Sequence, residues 1–152
     1  MGPDGSGAAL KLRAEDADDL SVMSACLQDA LVAIRDLAYV PEERTFLLVA
    51  NRFRWESGRR PAPGETGHQR ILCGIRFSAV DGVSYSGFRR SEDDRILSLL
   101  AIRPGEAGMI RLEFSGGAAI RLEVTRILCH AQDLGDPWPT RWQPRHDAGD
   151  WA

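Results

Sequence analysis

Apolar residues change their period several times along this chain, and each change predicts an element boundary. Leu10 to Arg13 reads as a short extended segment. Leu20, Met23, Leu27 and Leu31 then recur at helical spacing. Asp16 is placed to cap that helix, and Asp18 and Asp19 put negative charge in its first turn, where the helix dipole favours it. From Val32 the period becomes two, with Val32 and Ile34 on one face and Leu37 and Tyr39 on the other. That slip of parity predicts a bulge.

A turn is expected at Pro41 to Arg44, before a long strand over Thr45 to Trp55. Leu47, Val49, Phe53 and Trp55 share one face with Asn51, while Phe46, Leu48 and Ala50 take the other. Both faces are apolar, which predicts a central strand. Residues 56–69 hold breakers and polar groups without a hydrophobic period and read as an exposed loop. Ile71, Cys73, Ile75, Phe77 and Ala79 alternate with Arg70, Leu72, Gly74, Arg76 and Ser78. Asp81-Gly82 is expected to turn the chain into a strand over Val83 to Phe88.

Ser91 to Asp94 resembles a helix start, yet Arg95 to Arg103 holds Ile, Leu, Leu, Leu and Ile before Pro104-Gly105. A helical turn leading into a strand is the favoured reading there. Met109 to Val124 is more demanding. Ile110, Leu112, Phe114, Ala118, Ile120, Leu122 and Val124 must share a face, and all are even-numbered. The connecting loop therefore has an odd length, which excludes a two-residue Gly-Gly turn and selects Ser115-Gly116-Gly117 with a glycine in the left-handed region. Phe114 then faces Ala118. On the outward face Glu113 lies diagonal to Arg121, and Arg111 to Glu123, a solvated charge ladder. Ile127, Leu128, Ala131 and Leu134 keep helical spacing before Gly135, so a closing helix is expected, with a continuing strand as the alternative.

The expected fold is α+β, mainly antiparallel sheet of about seven strands with an N-terminal helix and a possible C-terminal one. The organisation is a flexible tail over 1–9, one domain over 10–135 with its loop at 56–69, and a tail rich in Pro and Trp over 136–152. Three prolines there argue against regular structure, although three of the four tryptophans fall in it.

With 43% apolar and 27% charged residues the 152-residue chain has an ordinary globular balance. Its net charge of −3 disfavours nucleic acid as a partner. No apolar run approaches a membrane span and no leader signature opens the chain, so a cytoplasmic location without membrane association is expected. Cys26, Cys73 and Cys129 are odd in number and widely spaced, which suits packing rather than a disulfide or zinc framework. His68, His130 and His146 are scattered, and no phosphate loop, dinucleotide fingerprint or nucleophile elbow is present. No catalytic residue, metal site or cofactor is therefore expected.

Two segments remain as binding candidates. In Asn51-Arg52-Phe53-Arg54-Trp55-Glu56, alternation puts Arg52 and Arg54 on one face, able to hold an anion or to satisfy nearby carboxylates. Trp138, Arg141, Trp142 and Arg145 offer either a contact strip for another protein or a cover for the sheet edge. Together with Leu27-Gln28-Asp29-Ala30, Leu97 to Ile102, Gly117 to Val124 and Asp133-Leu134-Gly135, the Asn-Arg-Phe-Arg-Trp-Glu segment resembles domain-of-unknown-function family 2948 from about Leu10 to Trp142. The resemblance implies an alphaproteobacterial, cytoplasmic protein and carries no activity. The expected function is a non-catalytic binding or assembly module for a protein partner or a small anionic ligand. The alternative is a small enzyme using a Cys, a His or an Arg-lined site.

Overall fold

A computed structural model describes residues 10–53, 69–106 and 108–139, with backbone alone at Gln69 and at 135–139. The chain forms β1 (Lys11–Ala14), helix α1 (Ala17–Cys26), β2 (Leu31–Val40), β3 (Thr45–Phe53), β4 (Gln69–Phe77) and β5 (Val80–Ser86). It continues through β6 (Ile96–Pro104), β7 (Met109–Phe114), β8 (Ala119–Val124) and β9 (Cys129–Pro139). The sheet is antiparallel, with strands in the order β1-β9-β4-β3-β2-β6-β7-β8-β5. A mainly antiparallel fold with an N-terminal helix is as expected, but the described residues hold nine strands rather than seven. No described helix is long and apolar enough to cross a membrane.

The helix forms as its cap predicts. Asp16 is extended and accepts from the Asp19 N–H at 2.8 Å, and Leu20, Met23 and Leu27 are buried. In β2 the register shifts between Val32 and Leu37, where the parity slips. The β7–β8 hairpin closes through the three-residue loop Ser115–Gly117, with Gly116 at φ 76° and Gly117 at φ 82° in the left-handed region and the Phe114 N–H bonded to Ala118 O at 2.9 Å. Ile110 faces Leu122 and Leu112 faces Ile120, which is the predicted even register. The charge ladder differs in partner: Glu113 meets Arg103 of β6 at 3.0 Å and Arg111 at 3.2 Å.

Three expectations are corrected. Asp81-Gly82 does not turn β4 back on itself. The chain bends at Ser78-Ala79, with Ala79 at φ 60°, and β5 does not pair with β4 but crosses to pair with β8. Asp81 and Gly82 sit at a register shift inside β5, where the Asp81 carboxylate receives Arg44 at 2.7 Å. The closing helix is absent, because residues 129–139 form β9, whose Ala131 is held between Ile75 of β4 and Leu12 of β1. Ladder bonds on both sides outweigh a helical spacing of apolar residues. Finally, regular structure runs past residue 135. Pro137 and Pro139 lie beyond Asp133, whose N–H bonds to Leu10 O just before β1, so among the described residues no ladder bond to that side is lost there.

Alternate residues of β3 define the two faces. Phe46, Leu48 and Ala50 enter one continuous core with Cys73, Ile75 and Phe77 of β4 and with the apolar side of α1. β6 pairs with β2 through Ile96–Ser98 and with β7 from Leu99 onward, which links the two halves of the sheet around that core. The odd-numbered residues of β3 point to the opposite, outer face.

Candidate functional site

Arg52 follows Ala50 on the core face of β3 and is buried to 6% exposure. Asp133, on β9 opposite Cys73, receives its guanidinium through two bonds of 2.8 and 2.6 Å. Asp133 Oδ2 also accepts the Leu10 N–H at 2.7 Å, and its own N–H donates to Leu10 O. The pair thus ties β3, β9 and the residue just before β1 together. Burial works against the Arg52 charge, but the hydrogen bonds and charge of Asp133 outweigh it and hold the group above its ordinary pKa. This is a structural clamp, and it leaves no open guanidinium for a ligand.

Asn51 is buried on the outer face, where Arg70 Nη1 donates to its backbone O at 3.1 Å and to its Oδ1 at 3.4 Å. The Arg70 guanidinium lies 3.7 Å from the centre of the Phe53 ring. Burial lowers its pKa, with the Asp29 charge acting in the opposite direction. Trp138 stands opposite Arg70 in the β4–β9 register. Arg54, Arg141, Arg145 and Trp142 lie outside the described residues. The described candidates therefore divide: Arg52 belongs to the interior, and Asn51 with Arg70 and Phe53 forms a packed group at the end of β3.

The thiols offer little chemistry. Cys73 and Cys129 are buried, Cys26 is half-buried, and none is in a disulfide. Burial and the Asp133 charge push Cys73 up to about 12, and burial pushes Cys129 higher still. Cys129 Sγ packs 3.3 Å from Met23 Sδ. No described group of His, Cys, Asp and Glu could hold a metal ion.

Open space lies elsewhere. A groove of about 920 Å³ runs over the outer face of β1, β9, β4, β3 and β2. Leu47, Val49, Gly74 and Leu134 line its apolar part, and Lys11, Arg35, Arg76 and His130 its cationic part. Leu47 and Leu134 are each 36% exposed. Gly74 sits midway along β4, where a Cβ would lie 3.5 Å from the Leu134 side chain, so the missing side chain deepens the floor. His130 has a buried Nδ1 with no partner, and burial followed by the charges of Arg76 and Arg13 lowers its pKa. Sequence reasoning missed this surface. Its signal is present in the two apolar faces of β3, which predict the central place that β3 takes between β4 and β2 but do not tell that Leu47 on the outer face stays 36% exposed.

The family model described as a protein of unknown function, domain-of-unknown-function family 2948, matches residues 10–146. The chain belongs to that family. The match spans all of the described residues, including the Arg52–Asp133 clamp and the groove. No curated protein matches the chain, and no solved structure does.

Proposed function

We propose that this protein is a non-catalytic binding module of the bacterial cytoplasm, with the outer face of its sheet as the contact surface. The observation that carries this reading is the groove, which joins exposed Leu47 and Leu134 and half-buried Val49 to Lys11 and Arg76. Antiparallel sheets that face water on one side usually turn polar residues outward. An apolar floor on that face is the kind of surface that marks interaction sites. Three cysteines without a disulfide suit a reducing compartment. The net charge of −3 speaks against nucleic acid. The enzyme alternative has less support, because Cys73 and Cys129 are held as thiols away from solvent.

The test is native mass spectrometry of the protein purified from its own cells, as wild type and as Val49→Glu. A bound protein or small molecule that the variant loses supports the reading. An identical set of bound species in both would overturn the placement of the surface.

A further inference from the structure

We infer that the outer groove binds a free, single-chain amphipathic carboxylate, its apolar body lying over Gly74, Val49 and Leu47 and its head group between Lys11 and Arg76. The inference rests on the binding-module reading and names the ligand class for the same surface.

Strand register supplies the layout. Lys11 faces Gln132, Gln132 faces Gly74, and Gly74 faces Val49, forming one row across β1, β9, β4 and β3. In the next row Arg13 faces His130, His130 faces Arg76, and Arg76 faces Leu47. Strands about 4.8 Å apart and a rise of about 3.4 Å per residue put the Lys11 and Arg76 backbones roughly 12 Å apart on one face. Lys11, His130 and Arg76 therefore stand toward the β1 side, the apolar side chains of Val49 and Leu47 continue toward β2, and Arg35 and Asp36 line the β2 end.

Charge complementarity selects an anion. Lys11 and Arg76 have no ion pair among the described residues, and Asp36, at the far end by β2, is the one carboxylate lining the groove. This rim is cationic on a chain whose net charge is −3. A second copy of the chain would bring the same cations against one another, which disfavours self-association through this face. Size selects a small molecule with a substantial apolar part, since 920 Å³ falls within the roughly 300–1,000 Å³ of small-ligand sites. Gly74 provides the hollow. Its Cβ position meets only ordinary contact distances, so packing does not require glycine there.

The experiment is an amide chemical-shift titration of the full chain with dodecanoate, dodecyltrimethylammonium, acetate and anionic-lipid vesicles. Dodecanoate is expected to shift Val49, Gly74 and Gln132, the ammonium amphiphile to bind at least about tenfold more weakly, and acetate to leave those amides unmoved. Arg76→Glu, a change at an exposed side chain, should weaken dodecanoate by more than about tenfold. Gly74→Val should do the same by filling the floor while keeping the melting temperature. Equal binding of both amphiphiles, binding to neither, or binding to vesicles alone would overturn the inference. If neither amphiphile binds but Val49→Glu still strips a native partner, the binding-module reading stands and only the ligand class is wrong.

Discussion

Arg52 and Asp133 are 81 positions apart in the chain and 2.6 Å apart at their nearest described contact. Removing one member of a buried pair leaves the other charge without compensation, which costs about 3–5 kcal/mol. Asp133→Ala should lose stability on that scale in urea denaturation, and Arg52→Met with Asp133→Leu should recover most of it. His130 supplies a second expectation. Its pKa is lowered in the folded protein, so between the folded value and about 6.5 the unfolded chain binds the extra proton. Stability should therefore fall as the pH drops from about 7.5 through 6.5. Imidazole NMR should show His130 titrating below about 6.5, and Arg76→Ala should raise that value in part, because burial is the larger cause.

At the scale of elements, local signals gave α1, the β2 bulge and the β7–β8 register, because each depends on neighbours a few residues away. Asp16 reaches the third residue of its own helix, and the parity of Phe114 and Ala118 sets the length of the loop between them. The β7–β8 loop also has a distant neighbour. Gly87, just after β5, has φ 82°, and a Cβ there would lie 2.6 Å from Gly117 O and 2.7 Å from Ala118 Cα. Both contacts are backbone, which cannot swing aside. Gly87→Ala should destabilise by roughly 2–4 kcal/mol, combining the left-handed conformation with the clash. Thermal unfolding by circular dichroism would measure it, with Gly108→Ala as the milder control, since its Cβ would meet only Val124 O at 3.5 Å.

For the whole molecule, the pairing of β1 with β9 joins the two ends of the described fold, and one core runs through both halves of the sheet. Unfolding should then be a single transition. Labelling of Cys129, buried between β9 and α1, should report the same free energy as circular dichroism in urea; an earlier labelling transition would mean that β1 and β9 open separately. The sequence alone determined the helix and its cap, the strand parity of β2 and β3, the odd hairpin loop and the family, because these are written in residues close together in the chain. Tertiary structure decided that residues 129–139 are a strand between two others, that Arg52 is a buried partner of Asp133, and that β3 has one covered and one open apolar face. Pairing partners and covering layers come from distant segments, and the period of a single strand does not carry that information.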